Sequence, residues 1–361
     1  MTQFHQVVAA PYAPPRMVAA AVELRAALRA VGAQSDIAVL EGDVEIDGVV
    51  ALDALDRPSA APRGADVLVL HLSDVTPEIA EFALGRPERL VVIHHGTPVW
   101  EPYLAFDPQR AGRFAATPVH VPVLAERAAV TITSVPRNAQ ILRDAGFRNV
   151  FSTPMRLDLD AFESVDAHEP TMHHFASAVT GPVVLYAGPV DPHNRLERLV
   201  EAYHLLVTSI DPTAALVIAG QTSTARYRER LSRQINELNL TGAWLADATD
   251  AGQLAAFYRS AAVFASPGEP ADLPSSMLSA MQLGVPVVAL GTDIVRDAVG
   301  DAALLLPVER DPALLAEALA AVLADAALRA RLIAAGRERV APFDAERAAT
   351  EWFRIVLEAG A

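Results

Sequence analysis

The sequence predicts an α/β protein with two doubly wound parallel sheets, and three observations support this class. The chain has 361 residues, which exceeds the length at which a single hydrophobic core stops growing, so two domains are expected. Apolar residues make up 52% of the chain. Short β-branched runs alternate with longer helical patterns, which is typical of parallel sheets covered by helices. We predict domains at residues 1–160 and 182–345, a linker at 161–181 and a C-terminal helix at 346–361.

The first domain begins with a short apolar run and continues in strict alternation of strands and helices. Strands are expected at residues 6–10, 35–40, 67–72, 90–94, 130–134 and 149–152. Helices are expected at residues 17–31, 76–84, 121–129 and 137–145. Gly32 and Gly146 follow two of these patterns and are typical of helix ends.

The alternation breaks at residues 157–181, a stretch rich in acids, histidine and proline that has no apolar period long enough for a core element. We interpret it as the domain linker and as the hinge for domain closure. A second doubly wound unit follows. Its strands are expected at 183–187, 215–219, 243–245, 263–265 and 285–290, and its helices at 196–209, 225–238, 251–260 and up to Met281, before two closing helices.

Two such domains would present the carboxyl ends of their strands to a shared cleft, where open α/β sheets bind ligands. The dinucleotide fingerprint G-x-G-x-x-G is missing after the first strand, where residues 11–15 are proline-rich instead. A nicotinamide enzyme is therefore not expected. The sequence also lacks the P-loop motif and the G-x-S-x-G motif of hydrolases.

Charge and composition argue against several kinds of partner and cofactor. The chain has 44 acidic and 29 basic residues, a formal net charge of −15, which disfavours nucleic acid and anionic membranes as partners. It has no cysteine, which excludes thiolate catalysis and cysteine-based metal sites. The linker residues His168, Glu169, His173 and His174 lack H-E-x-x-H spacing, so no metal site is predicted there.

The ends of the chain and its most apolar run indicate where the protein resides. The first residues show no basic region followed by an apolar core, so a secretory signal is not expected. The alanine-leucine run at 314–336 carries several charges, which indicates an exposed amphipathic helix rather than a membrane span. A soluble cytoplasmic protein is expected.

Several motifs occur in a fixed order between about residues 65 and 300. Residues 94–98 read HHGTP, residues 186–188 read YAG, and residues 264–289 read FASPGEPADLPSSMLSAMQLGVPVVA. Together they resemble the family-four, group 1 glycosyltransferases. The resemblance implies the GT-B architecture, two Rossmann-like domains facing a cleft. It also implies transfer of a sugar from a nucleotide-diphosphate sugar with retention of configuration, without a metal or other cofactor.

Several features of the donor site that the resemblance implies are changed in this sequence. The arginine and lysine that hold the donor diphosphate in the family are replaced by Pro189 and Asn194. The two glutamates of the family motif fall on Ala271 and Ser279. A proline-rich loop replaces the glycine-rich one after the first strand.

Neighbouring residues are candidates for the missing roles. Arg195, one residue after the lysine position, could reach a diphosphate if the turn closes differently, whereas the plainer interpretation is a solvated residue in the first turn of a helix. Glu269 could replace the first glutamate after a two-residue shift of its loop, in which Asp272 also lies; the plainer interpretation is a surface carboxylate. Ser279 could donate a hydrogen bond to a ribose hydroxyl.

The remaining candidates are histidines and glycines. His94 and His95 lie at a strand end where the family places a histidine that contacts the donor sugar, although a buried histidine there is often structural. Gly188, Gly220 and Gly268 are expected to allow close approach of backbone segments. The predicted catalytic residues are therefore His94, His95 and Glu269. The predicted donor-binding residues are Gly188, Arg195, Gly220, Glu269, Asp272 and Ser279.

Two functions remain open from the sequence. The first is an active glycosyltransferase that uses a nucleotide sugar and an acceptor. The second is a catalytically inactive homologue that acts as a binding or partner protein, alongside an active glycosyltransferase. The second is motivated by the changed donor site, because one missing electrostatic contact typically raises a barrier by roughly 3 kcal/mol.

Overall fold

The computed structural model of the chain forms two compact units. The structure describes residues 2–9, 15–41, 47–56, 66–153, 165–247, 250–308, 311–341, 343 and 345–360. The first unit comprises Met1–Trp100, Gln109–Leu157 and Phe343–Ala361, and the second comprises Glu101–Pro108 and Asp158–Pro342. The short segment Glu101–Pro108 thus packs with the second unit, and the C-terminal segment packs with the first.

The first unit contains a six-stranded parallel sheet in the order β2-β1-β3-β4-β5-β6. Its strands are β1 (Gln3–Ala9), β2 (Gln34–Glu41), β3 (Val67–Leu72), β4 (Arg89–His94), β5 (Ala128–Thr133) and β6 (Val150–Ser152). Its first helices are α1 (Pro15–Ala30), α2 (Pro77–Gly85), α3 (Pro108–Ala125) and α4 (Pro136–Asp144). β3 is buried on both faces, as expected for a strand with helices on both sides of its sheet.

Helix α3 differs from its prediction. It begins at Pro108, well before residue 121, and Pro118 and Pro122 lie inside it. Proline normally ends a helix because it lacks an N–H donor. A continuous buried face that includes Phe114 and Leu124 spans these prolines, so tertiary packing outweighs the local preference. Residues 128 and 129, predicted as helix, belong to β5.

The second unit contains another six-stranded parallel sheet, in the order β12-β11-β10-β7-β8-β9. Its strands are β7 (Val183–Ala187), β8 (Ala215–Ala219), β9 (Ala243–Ala246), β10 (Val263–Ser266), β11 (Val287–Leu290) and β12 (Ala303–Leu306). Its helices are α5 (Glu169–Ala178), α6 (Leu196–Ser209), α7 (Ala225–Glu237), α8 (Ala251–Ser260), α9 (Ser275–Gln282), α10 (Asp293–Val299), α11 (Pro312–Ala324) and α12 (Ala326–Val340). The two parallel sheets confirm the predicted fold class.

Three parts of the second unit go beyond the sequence prediction. Strand β12 was not predicted. Helix α5 lies within the predicted linker and packs against α8. The run at 314–336 is not one exposed helix, because Asp325 ends α11 and caps α12, and α11 packs its apolar face on α6 in the core of the unit.

The last helix, α13 (Ala345–Ala359), covers one face of the first unit's sheet. Its residue Trp352 is buried, and the indole Nε1 donates a hydrogen bond to the Thr153 carbonyl oxygen at 3.1 Å. Among the described residues, no helix is both long and apolar enough to cross a membrane.

Candidate functional site

The strand order of the second unit identifies one edge where a ligand would bind. On one side of the central pair β7 and β10 the next strands are β8 and β9, and on the other side they are β11 and β12, so the strand order reverses between β7 and β10. Open α/β sheets bind ligands at the carboxyl ends of the strands where the order reverses. The turn after β7 and the loop after β10 lie there. The Glu269 N–H donates a hydrogen bond to the His193 carbonyl oxygen at 3.2 Å, which joins these two segments.

Glycines make this edge a close packing of backbone on backbone. A Cβ atom at Gly220 would lie 1.9 Å from the carbonyl oxygen of Gly188, and one at Gly268 would lie 2.4 Å from Cα of Asn194. Gly220 also has a φ of +153°, which side-chain-bearing residues rarely adopt. Any other residue would push these segments apart. We call Gly188, Gly220 and Gly268 the glycine cradle.

Asn194 and Pro189 hold the turn after β7 together. The Asn194 side chain is buried and its Nδ2 donates to the Pro189 carbonyl oxygen at 2.8 Å. The Tyr186 hydroxyl donates to the same oxygen at 2.8 Å. Burial raises the pKa of Tyr186 well above its ordinary value, as does the nearby Asp191 carboxylate, so the hydroxyl remains a donor.

Asp191 ties the turn after β7 to the loop after β8. Its Oδ1 atom accepts hydrogen bonds from the Ser223 hydroxyl at 2.7 Å and from the Ser223 N–H at 3.3 Å. Thr222 adds a hydrogen bond from its hydroxyl to the Val190 carbonyl oxygen at 2.8 Å. The turn is therefore held rigidly from one side.

Arg195 has an unusual backbone conformation. Its φ of 52° and ψ of 39° place it in the left-handed region, immediately before α6. This conformation costs a side-chain-bearing residue roughly 1–2 kcal/mol. Its Nε atom is buried and has no hydrogen-bond partner among the described residues. Arg195 thus combines a strained backbone with an unused hydrogen-bond donor at the edge of the cradle.

The other predicted donor residues lie in the loop after β10 and in α9. Glu269 and Asp272 are half-buried in that loop, and Ser279 is buried in the second turn of α9. The start of α9 approaches the cradle, since a Cβ atom at Gly188 would lie 3.4 Å from the Ser276 hydroxyl oxygen. These residues lie on the segments around the cradle, and their roles remain predictions.

Sequence reasoning missed a contact of the segment Glu101–Pro108. The Tyr103 side chain is fully buried, and its hydroxyl lies 2.7 Å from Nδ1 of His193. Their rings are stacked, with centroids 5.9 Å apart. Phe106 packs edge-on against Tyr227. The sequence motif around Tyr103 was assigned to the first domain, and no local pattern indicates that these aromatic residues would support the turn after β7.

In the first unit, the predicted histidines differ in their contacts. His94 is buried, and its Nδ1 atom accepts a hydrogen bond from the Gly96 N–H at 3.3 Å. Its Nε2 atom lies 3.4 Å from the Thr97 hydroxyl oxygen. Both ring nitrogens of His94 are therefore used within its own turn, which fits a structural role.

His95 contacts the interior of the sheet instead. Its Nε2 atom lies 3.2 Å from Nδ1 of His71, on β3, and the two rings are stacked. The ring centroids of His95 and of Trp352, on α13, are 6.4 Å apart. No hydrogen bond to the Nδ1 atom of His95 is formed by any residue in the described part of the chain.

Burial holds all three histidines in their neutral form at pH 7. It lowers the pKa of His71 to about 3 and that of His94 to about 4. Burial also lowers the pKa of His95 well below its ordinary value, and the nearby His71, His94 and Arg16 lower it further. Neutral imidazoles can both donate and accept hydrogen bonds.

The remaining sequence predictions concern the linker histidines and the proline-rich loop after β1. The described residues contain no group of three or more histidine and carboxylate side chains that could hold a metal ion. His168, in the predicted linker, contacts the Thr171 hydroxyl with its Nδ1 atom at 2.8 Å. The side chain of His174 and the proline-rich residues 11–14 lie outside the described residues.

Most of the second unit matches a known family model. Residues 171–339 match the family model described as "Glycosyl transferases group 1". A phosphatidyl-myo-inositol mannosyltransferase of Mycobacterium leprae is 31% identical over 183 residues. That match covers 48% of this chain and 46% of the mannosyltransferase, so less than half of the relative's length is represented.

Solved structures match almost the whole chain in fold. The sucrose-phosphate synthase of Thermosynechococcus elongatus superimposes with a TM-score of 0.75 at 20% identity, covering 99% of this chain and 98% of that one. HepE of Anabaena, in complex with UDP-glucose, gives a TM-score of 0.72 at 14% identity, covering 99% of this chain and 100% of that one. The fold is that of the GT-B glycosyltransferases.

Proposed function

We propose that this chain, whose residues 171–339 form a group 1 glycosyl transferase domain, transfers a sugar from a nucleotide-diphosphate sugar to an acceptor hydroxyl. The observation that carries the proposal is the glycine cradle at the carboxyl ends of β7 and β10. There the backbone of Gly220 packs directly on Gly188, and the hydroxyls of Tyr186 and of Ser276, at the start of α9, lie beside Gly188. The crystallised HepE contains UDP-glucose, which supports the same class of donor here.

The diphosphate would lie against the turn after β7, with Arg195 as its cation. An arginine is favoured for this role because its guanidinium donates several charge-assisted hydrogen bonds to phosphate. Glycine would fit the left-handed conformation of residue 195 without strain. The strained arginine, with its unused Nε donor, is thus better explained by a ligand than by the fold.

The start of α9 would assist Arg195. The N-terminus of a helix carries a partial positive charge and favours phosphate groups. During transfer the bond from the anomeric carbon to the diphosphate breaks, and a bond to the acceptor oxygen forms. Negative charge then develops on the diphosphate, where these groups would stabilise it. We further propose retention of configuration and no requirement for a metal.

Glu269 is our candidate for the carboxylate near the transferred sugar. Its N–H is bonded to the turn after β7, which keeps residue 269 within the cradle region. Asp272 follows in the same loop, and Ser279, one turn into α9, is our candidate for the ribose contact. These assignments extend the sequence predictions and need testing residue by residue.

The inactive alternative depends on one observation, the conversion of the two cation positions into turn-forming residues. Asn194 and Pro189 bond to each other through the amide Nδ2 and the carbonyl oxygen, and neither side chain can bind a diphosphate as a cation would. If Arg195 does not replace them, the scaffold remains but leaving-group stabilisation is lost. A binding experiment separates the two functions.

The test is a thermal-shift and calorimetric titration of the protein with UDP, GDP, ADP and their sugar conjugates. A ligand at about 100 times its Kd stabilises a fold by roughly 2.7 kcal/mol, which is readily measured. We expect one nucleotide to bind saturably and Arg195→Ala to weaken it. Absence of binding by every nucleotide would overturn the transferase proposal and favour the partner role.

A matched control lies three residues away. Arg198 is exposed and forms an ion pair with Glu201 at 3.0 Å. Arg198→Ala removes the same charge from the same helix turn, at a side chain that is already paired with Glu201. Equal weakening of nucleotide binding by Arg195→Ala and Arg198→Ala would indicate a general charge effect and would contradict the specific role of Arg195. Retention is checked by the anomeric configuration of the product, and metal independence by activity in EDTA.

A further inference from the structure

A line of buried polar side chains crosses the sheet of the first unit. On one face of the sheet, Phe4, Val69 and Ile93 belong to the apolar core beneath α13. Gln6, His71 and His95 each follow one of these residues by two positions; Gln6 lies in β1, His71 lies in β3, and His95 comes directly after β4. Because side chains two residues apart share a face of a strand, these polar groups continue an otherwise apolar surface toward the carboxyl ends of the strands.

These side chains form one hydrogen-bonded chain. The Gln6 Nε2 atom donates to the Ser35 hydroxyl oxygen at 3.0 Å. The Gln6 Oε1 atom lies 3.0 Å from Nε2 of His71, and Nδ1 of His71 lies 3.2 Å from Nε2 of His95. Ser35, Gln6 and His71 are nearly or fully inaccessible to solvent.

The chain has a direction that follows from the amide of Gln6. Its Oε1 atom only accepts, so Nε2 of His71 carries the proton. The Nδ1 atom of neutral His71 is then an acceptor, and Nε2 of His95 must carry the proton that it accepts. The Nδ1 atom of His95 is left with a lone pair. Only a hydrogen-bond donor, such as a hydroxyl group, can pair with it.

The chain as a whole contributes little to stability, because each of its hydrogen bonds replaces hydrogen bonds to water, and apolar residues of similar shape are often as stable. A buried polar atom at its end that stays unpaired costs free energy. The adjacent positions on this face are apolar. His94 shows the contrast, because both of its ring nitrogens are satisfied within its own turn.

We propose that Gln6 and His71 are positioning residues that fix His95 as the Nε2–H tautomer, so that its Nδ1 atom accepts a hydrogen bond from a carbohydrate hydroxyl. The choice of a carbohydrate depends on the proposed function; the fixed tautomer does not. Burial lowers the pKa of both His71 and His95, and the groups facing His95 are His71, His94, Arg16 and the Trp352 ring. His95 is therefore neutral at pH 7, as the proposal requires.

The direct test is nitrogen NMR of the whole protein labelled with 15N-histidine. The His95 signals are assigned by their loss in His95→Gln. We expect the ring nitrogens of His95 to report a single Nε2–H tautomer in the wild type. In Gln6→Met we expect them to report a mixture of tautomers. This measurement needs no substrate, so it stands even if no nucleotide sugar is turned over.

The kinetic test uses UDP-glucose, or whichever nucleotide sugar the titration identifies, with water as the acceptor. A single hydrogen bond between neutral groups typically contributes about 3–10-fold. For Gln6→Met we therefore expect kcat/KM to fall about 3–10-fold. If the wild type turns over no donor, the transferase proposal fails, while the tautomer result decides the present one.

The controls separate tautomer control from damage to the fold. Gln234→Met makes the same change at another buried glutamine, in the second unit, and should leave the His95 signals unchanged. If Gln6→Met does not fold, Ser35→Ala removes the anchor of the Gln6 amide with a smaller change. A protonated or Nδ1–H form of His95 in the wild type, or an unchanged tautomer in the folded variants, would overturn the proposal.

Discussion

The two sheets of this protein have two different kinds of surface at the carboxyl ends of their strands. At the carboxyl ends of β1, β3 and β4, the first unit presents imidazole side chains fixed by hydrogen bonds, ending in His95. At the carboxyl ends of β7 and β10, the second unit presents backbone, packed closely through Gly188, Gly220 and Gly268. The first surface depends on which side chains are present, and the second on the absence of side chains.

The turn after β7 illustrates the second kind of surface. The main-chain carbonyl oxygen of Pro189 accepts hydrogen bonds from Tyr186 and from Asn194. A site made from backbone tolerates substitution at neighbouring side chains as long as the glycines remain. A site made from a hydrogen-bonded chain of side chains does not.

The largest effect is expected from adding one methyl group to the cradle. In Gly220→Ala the new Cβ would meet the Gly188 carbonyl oxygen at 1.9 Å, at a φ of +153°. Since neither backbone segment can move freely, we expect a loss of at least about 5 kcal/mol in the free energy of unfolding. Urea denaturation measures it.

Gly112→Ala is the matched control. Gly112 is exposed within α3, and a Cβ there meets no atom within 4 Å. Because alanine favours the helical conformation more than glycine does, the free energy of unfolding of this variant should rise by about 0.5–1 kcal/mol. Similar losses in both variants would mean that glycine content in general, and not the cradle, controls stability.

Acid should weaken the side-chain surface of the first unit. The ordinary histidine pKa of 6.5 is lowered by burial to about 3 in His71 and about 4 in His94. The unfolded chain therefore binds protons below pH 6.5 that the folded chain does not. The free energy of unfolding that depends on these neutral histidines is fully present above pH 6.5 and falls as the pH drops toward 4. At pH 5 the loss is about 2 kcal/mol for each histidine.

The measurement is the Tm of the protein from pH 8 to pH 4. In His94→Gln one of these groups no longer titrates, so the fall in Tm between pH 6.5 and pH 4 should be shallower than in the wild type. An identical pH dependence in the two proteins would show that His94 is not buried as a neutral group.

Arg195→Gly should separate stability from binding in the second unit. Glycine relieves the left-handed strain, so the unliganded protein should gain about 1 kcal/mol in the free energy of unfolding. The stabilisation by nucleotide should be lost at the same time. Thermal melts with and without the nucleotide found by titration measure both effects.

Asn239 offers the control, since it is the other non-glycine residue with a positive φ, 53°, among the described residues. Asparagine tolerates this conformation better than arginine does, so Asn239→Gly should change stability less and leave nucleotide binding intact. Retained nucleotide binding in Arg195→Gly would contradict the diphosphate role of Arg195.

A similarly modest effect is expected where α13 supports the edge near His95. Trp352→Phe keeps an aromatic ring but removes the donor to the Thr153 carbonyl oxygen. Because that buried acceptor is left unpaired, the free energy of unfolding measured by urea denaturation should fall by about 1–2 kcal/mol. Trp100→Phe, at a residue that is 37% exposed, should change stability by less than about 0.5 kcal/mol. A loss in Trp100→Phe as large as that in Trp352→Phe would show that the hydrogen bond contributes little.

Much of the fold follows from local patterns in the sequence. The predicted bounds of β3, β7, β8, α6 and α8 match the structure, because buried parallel strands are short continuous apolar runs and these helices are strongly amphipathic. Helix α3 was predicted poorly because its prolines mislead any local rule, and β12 because its short apolar run carries little signal.

The site shows the same division. The sequence indicated His95, the cradle glycines and Arg195 as candidates, since glycine and charged residues at strand ends are informative wherever they occur. It did not indicate Gln6, His71 or Tyr103. Their roles depend on partners far away in sequence, which no spacing or periodicity encodes.

The sequence by itself determined the α/β class and the two parallel sheets, because periodicity and residue identity are local properties of the chain. Only the tertiary structure decided that His94 is satisfied within its turn, that the Nδ1 atom of His95 has no partner among the described residues, and that Arg195 is strained. The physical reason is that hydrogen-bond direction and backbone strain depend on which atoms meet, and strand pairing brings together residues as distant as Gln6 and His71.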